Sequence, residues 1–195
     1  MMSFIVCFSY GLDKDGSFGA TNEARCEKAA ALYKELKKRR PEDTWIIATA
    51  GMIPDFPQQQ KLLCVMQWEA LGKLGVPLPH MLPNEIDFES KWRGCNVLST
   101  VAEIDAAIEI AEEKSLNGSF YAVSHWFHLP RIWWLGRRRG IRFVLKPVWS
   151  ATPWKSVAAE LPKWFVVLVD SFLLLFGKNG IGRRATQWAR AYHIW

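Results

Sequence analysis

The stretch AVSHWFHLPRIWWL, residues 122–135, places His125 and His128 three residues apart, between Ser124 and Arg131. Histidine titrates near neutral pH, so this spacing invites acid–base chemistry. Arg131, three residues after His128, adds a positive charge to the same helix face. A metal is a second use for an i, i+3 histidine pair. Zinc needs three or four ligands, however, and no other histidine or paired cysteine lies nearby in sequence, so no metal site is expected. A third use is structural, with one histidine capping a helix and the other packed. The residues leave ligand binding, acid–base work and packing open.

Other chemistry-bearing residues follow short apolar runs. Gly11, Asp13, Asp15 and Gly16 follow the first run, with Arg25 on the next helical stretch. Gly51 follows the second. Asn84, Glu85 and Glu89 follow the third, with Asn96 and Glu103 beyond them. Each has an ordinary reading too. Glycines make turns, because φ > 0 costs them little. Arg25 is either a solvated helix charge or a partner for phosphate or carboxylate. Asn96 and Glu103 are two helical turns apart, so they can share a face.

The elements that must position these residues alternate. Strands are expected at 3–9, 44–51, 80–86, 119–124 and 142–148. Helices are expected at 21–40, with Thr21 or Asn22 as N-cap, and at 57–75 and 96–115; another starts at the His125–Arg131 segment. Strands that are apolar throughout, separated by helices, imply parallel βαβ units. The expected fold is α/β: a Rossmann-like parallel sheet flanked by helices in three layers. Residues 1–150 form that domain, and 151–195 a C-terminal helical extension. Open parallel sheets bind ligands beyond the carboxyl ends of their strands. A Rossmann-like order sets the first and fourth strands side by side, which brings His125 close to the loop YGLDKDG.

Composition narrows the setting. The 195 residues carry a net charge of +6, and four scattered cysteines form no CxxC pair. They read as reduced thiols, and a cytoplasmic location is expected. The chain shows no signal-peptide pattern and no run of the ~20 apolar residues that span a bilayer. The longest apolar stretch, 164–176, is short and holds Asp170.

Five segments, taken in order, resemble the SanA/ElyC/YdcF family of bacterial proteins. They are YGLDKDGSFGATNEARCEKAAALYK, IIATAG, LGVP, NVLSTVAEI and YAVSHWFHLPRIWWL. The resemblance implies a Rossmann-like domain, an association with S-adenosylmethionine, and roles in cell-envelope physiology. Its characteristic positions fall on Gly11, Asp15, Arg25, Gly51, Asn96, Glu103, His125, His128 and Arg131. The chain departs from the family in having AGM after the second strand, where two glycines are common, and Asn96-Val97 where Asn-Thr is common.

The functional expectation is a small-molecule enzyme, or enzyme-like binder, for an anionic or nucleotide-like ligand. Phosphoester or other group transfer is the reaction class. Gly11, Asp15, Arg25, Gly51, Asn96, Ser124 and Arg131 would bind; His125, His128 and Glu103 would carry the chemistry. The alternatives are an S-adenosylmethionine binder and a non-catalytic cell-envelope module. Nucleic acid is a less favoured partner, since no recognised motif is present. Residues 160–176 are too apolar for a solvent-facing helix and are expected to dock on protein, within the chain or across a homodimer. Residues 181–195 interleave tryptophan with arginine, so peripheral contact with an anionic membrane at its inner face is expected there.

Overall fold

The computed structural model describes residues 2–13, 15–39, 43–48, 61–82, 100–113 and 118–150, with 157, 158, 160, 162–165 and 168 beyond them. The strands are β1 (Met2–Cys7), β2 (Thr44–Ile47), β3 (Met81–Leu82), β4 (Gly118–His125) and β5 (Phe143–Val148). The helices between them are α1 (Gly19–Arg39), α2 (Leu63–Lys73), α3 (Thr100–Glu113) and α4 (Leu129–Arg138). A single 3-10 turn, Leu78–His80, leads into β3.

Every strand pairing is parallel, and the order is β3-β2-β1-β4-β5. The protein is therefore an α/β protein with the Rossmann-like arrangement expected from the alternation. Strand side chains point to opposite faces in turn, and the core divides accordingly. Ile5, Cys7 and Val123 face α1 and α2, packing with Ala29, Leu32 and Leu71. Phe4, Val6, Phe8, Ala122 and Phe143 face α3 and α4, packing with Ile104, Ile132 and Leu135. Burial on both faces explains why these strands lack polar alternation.

Two glycines permit close packing. A Cβ on Gly118 would stand 2.5 Å from the Met2 carbonyl oxygen, where β4 starts against β1. A Cβ on Gly136 would meet the Phe143 ring at 2.5 Å, so α4 lies directly on β5.

Several boundaries differ from expectation. Helix α1 starts at Gly19, so neither Thr21 nor Asn22 is its N-cap. Asn22 lies inside the helix, and its amide is used on the preceding loop. Helix α2 starts at Leu63 rather than 57; residues 57–60 lie outside the described residues. It ends at Lys73, and Gly75 follows at φ 84°, with the Val76 N–H closing back on the Leu71 carbonyl at 3.0 Å. That left-handed residue is the usual helix stop. The end of the expected second strand, most of the third, and the start of the helix at 96 also lie outside the described residues.

The chain beyond 150 touches the sheet domain. Trp164 packs against the cluster under α3 and α4, and Glu160 is buried beside α4. The expected docking of 160–176 can be followed only to residue 168, and 181–195 lies outside the described residues. Among the described residues no helix is long and apolar enough to cross a membrane.

Candidate functional site

The carboxyl ends of β1 and β4 are adjacent in the sheet, with Cys7 paired to Val123. Polar side chains gather just beyond that pairing. Most are buried, and hydrogen bonds join them in two neighbouring sets, one around Arg25 and one around Arg131.

Arg25 projects from the second turn of α1 and is fully buried. Its Nη1 donates to the Phe8 carbonyl at 3.0 Å and also to the Ser9 carbonyl, the two residues that leave β1. Its Nε donates to His125 Nδ1 at 2.9 Å. Its Nη2 is buried and has no hydrogen-bond partner among the described residues. Burial pulls the guanidinium down to about 10, with Glu103 opposing the shift, so it stays protonated at neutral pH.

His125 ends β4. A guanidinium nitrogen can only donate, so Nδ1 must accept and the neutral ring carries its proton on Nε2. Nε2 lies 2.8 Å from Ser150 Oγ. Burial and then the Arg25 charge hold this imidazole down to about 4. The result is a chain from a buried guanidinium, through a neutral imidazole, to a hydroxyl on an exposed residue.

His128 is governed by Arg131 in the same way. Arg131 Nη2 donates to His128 Nε2 at 2.8 Å, and Thr100 Oγ1 lies 2.9 Å from that nitrogen. The proton therefore sits on Nδ1, 2.9 Å from Ser124 Oγ. Burial, then the Arg131 charge, keeps His128 well below its ordinary range. His128 occupies the N-cap position of α4, but its side chain makes no cap hydrogen bond.

Arg131 is balanced from beyond residue 150. Its Nε is 3.0 Å from Glu160 Oε2, and its Nη2 donates to Oε1 at 3.3 Å. The Nε contact is an ion pair off the N–H axis, since neither atom completes a hydrogen bond there. Lys163 Nζ adds a bond to Glu160 Oε1 at 3.1 Å. Glu103, on α3, accepts from both the N–H and the hydroxyl of Ser9 at 2.8 Å. Burial raises its carboxyl; the Ser9 bonds, Arg25 and Arg131 oppose that shift. Three buried or half-buried cations, Arg25, Arg131 and Lys163, thus face two carboxylates, Glu103 and Glu160.

The sequence-derived residues divide into four groups. Arg25, Glu103, Ser124, His125, His128 and Arg131 come together in this cluster. Gly11 joins only through its backbone, whose carbonyl accepts from Asn22 Nδ2 at 3.1 Å. Asp15 is exposed and accepts from the Ser17 N–H at 3.0 Å, which makes it a turn residue in this structure. Gly51 and Asn96 lie outside the described residues, as do Asn84, Glu85 and Glu89.

Ser9, Thr100, Ser150, Glu160 and Lys163 carry no separate sequence expectation, and Asn22 carries only that of a helix cap. Asn22 fixes the loop after β1: its Oδ1 accepts from the Tyr10 N–H at 2.8 Å, and its Nδ2 donates to the Phe18 carbonyl at 2.6 Å. Glu160 did carry a signal, because it ends a run from 114 to 159 that contains no acidic residue. Among the described residues no group of three or more His, Cys, Asp or Glu is placed to hold a metal. A groove of about 410 Å³ between α1 and α2, lined by Phe18, Glu23, Glu27 and Glu69, lies on the outer side of α1 and uses none of the cluster.

Fold and cluster together define a parallel α/β protein with a cationic, buried polar network at the switch point between β1 and β4. No family model matches the chain, and no curated protein or solved structure matches it.

Proposed function

We propose that this network binds an anionic small molecule, through a phosphoryl or carboxylate group, at the carboxyl ends of β1 and β4. The observation that carries the reading is Arg25 Nη2, a buried charged donor without an acceptor among the described residues. A buried donor left unpaired costs about 1–3 kcal/mol, more when charged, and a ligand oxygen removes that cost. The excess of cations over carboxylates in the cluster favours the same sign of ligand. The position agrees with the general rule for open parallel sheets.

The fold and the Ser-His…His-x-x-Arg segment also support membership in the SanA/ElyC/YdcF family. Of S-adenosylmethionine, which that resemblance brings in, the cluster suits the carboxylate through Arg25. Both carboxylates of the cluster, Glu103 and Glu160, are already committed to Ser9 and to Arg131 and Lys163, so phosphorylated ligands and simple carboxylates come before one that carries sulfonium and ammonium charges.

Group transfer on the bound anion is a second reading. The Arg25–His125–Ser150 chain favours it, because it holds an exposed hydroxyl in register with the buried charge. In this reading Glu103, His125 and His128 position and polarise, and Ser150 is the group nearest solvent.

Calorimetric titration with inorganic phosphate, nucleoside monophosphates and triphosphates, simple dicarboxylates and S-adenosylmethionine tests the reading. Saturable binding of a phosphate or carboxylate compound, weakened about tenfold or more by Arg25→Ala, supports it. No binding by any of these compounds, or binding unchanged in Arg25→Ala, overturns it. Hydrolysis of an aryl phosphate that is lost in Ser150→Ala would favour the second reading.

A further inference from the structure

From residue 114 to residue 159 the sequence holds eight lysines and arginines and no aspartate or glutamate. The structure uses two of these charges internally: Arg131 pairs with Glu160, and Arg139 with Asp105 of α3. Arg137, Arg138 and Arg142 remain exposed, with no ion-pair partner among the described residues.

Tryptophans are interleaved with them. Helix α4 buries Leu129, Ile132 and Leu135 against the sheet and turns Trp133, Arg137 and Arg138 outward. Arg137 lies over the Trp133 ring at 5.0 Å, and Arg138 over Trp134 at 5.4 Å. In the turn before α4, Trp126 stacks on Trp149 at 6.1 Å and 15°. Trp149 is 73% exposed, Trp126 40% and Trp133 39%. Phe165 and Leu168, on the segment that carries Glu160, are exposed as well.

Indole rings left in water are costly unless one end of them meets an apolar phase, and tryptophan settles where apolar and wet regions meet. Arginines beside them supply attraction to lipid phosphates, and a surface helix with both features lies in the plane of the interface. Charge complementarity therefore names the occupant. We infer that the outer face of α4, with the Trp126–Trp149 pair, is a docking surface for an anionic lipid bilayer. This surface is distinct from the tail 181–195 and from the buried cluster. The exposed Trp126, Trp133 and Trp149 rings offer apolar contact of the kind that lipid, rather than a nucleic-acid backbone, rewards.

Co-sedimentation of the full chain with vesicles tests it. Phosphatidylcholine vesicles are compared with phosphatidylcholine–phosphatidylglycerol vesicles at low salt, where surface attraction is strongest. Binding is expected to the anionic vesicles and to be at least about tenfold weaker on neutral ones. Arg137→Glu/Arg138→Glu lowers it about tenfold or more, and Trp126→Ser/Trp149→Ser lowers it as well. Lys34→Glu/Lys38→Glu, on α1, and Arg183→Glu/Arg184→Glu, in the tail, leave most of it intact. Equal binding to both vesicle types overturns the inference. So does loss in the tail variant with none in Arg137→Glu/Arg138→Glu, and so does binding to a single-stranded RNA oligonucleotide without binding to vesicles.

Discussion

Arg25 Nε and His125 Nδ1 are 2.9 Å apart, and this contact joins α1 to the end of β4 across the switch point of the sheet. It also sets the state of the imidazole. Because the guanidinium can only donate, His125 is a neutral acceptor at Nδ1 and a donor at Nε2. A catalytic serine–histidine pair needs the opposite arrangement, with a carboxylate or carbonyl on Nδ1 and a free lone pair on Nε2. His125 is therefore placed to hold Arg25 and Ser150 in register rather than to deprotonate Ser150.

A pH dependence follows. His125 is held down to about 4 in the folded protein, and His128 well below its ordinary range. The unfolded chain takes up these protons near the ordinary 6.5, so it binds more protons than the folded state below that pH. The stability that depends on the neutral rings is complete above about pH 6.5 and is lost as pH falls from there toward 4. Glu103 acts in the opposite sense, because its raised carboxyl takes up a proton in the folded state first. Melting temperature should fall through that window. His125→Asn, which keeps an acceptor for Arg25 and cannot titrate there, should flatten the fall. A slope identical to the wild type in that variant would show that His125 does not contribute.

The Glu103 carboxylate should matter most for Ser9. It receives both the backbone N–H and the hydroxyl of Ser9 in a buried setting. Glu103→Ala strands that N–H and should lower unfolding free energy by about 1–3 kcal/mol in urea titrations. Glu103→Gln keeps an acceptor and should lose less. Equal losses in the two variants would mean that the charge, not the Ser9 bonds, is what the fold uses.

Asn22 should behave as a latch for the loop after β1. Its amide donates to the Phe18 and Gly11 carbonyls while its oxygen accepts from Tyr10. Asn22→Asp keeps the acceptor but turns a carboxylate on those carbonyls. A loss of about 2 kcal/mol in thermal or denaturant unfolding is expected, with Asn22→Ala of similar size. A change within about 0.5 kcal/mol, the usual range for an exposed site, would contradict the latch.

Glu160 ties the chain beyond 150 to the site. Removing one partner of a buried ion pair costs about 3–5 kcal/mol, because the remaining charge stays buried. Glu160→Ala should therefore destabilise the protein by an amount near that range, and Arg131→Met/Glu160→Met should recover much of it. A double variant as unstable as the single one would show that the pair is needed for more than mutual neutralisation.

The fold was legible because its strands are apolar on both faces and punctuated by glycine, proline and charged helix ends. The adjacency of β1 and β4 followed from the same pattern. The six cluster residues named from sequence were legible for a related reason: each stands at or just beyond a strand's carboxyl end, or on the first turns of the helix that follows. Glu160 carries only the signal of closing an acid-free run, and nothing local points it to Arg131, which lies 29 positions away inside the βαβ repeat. Asn22 was misread as a cap because a helix-start asparagine and an asparagine that grips the loop before the helix carry the same local signal. Asp15 stands apart from the cluster because an aspartate in a glycine-rich loop can turn to its own backbone as easily as to a ligand.

The most direct test of the anion-binding account is a co-crystal structure with the tightest phosphate or carboxylate compound from the titration series. The account predicts a ligand oxygen within hydrogen-bond distance, about 2.7–3.2 Å, of Arg25 Nη2, with the Nε bond to His125 retained. A ligand held elsewhere on the molecule, with Arg25 Nη2 still lacking an anionic partner, would contradict it.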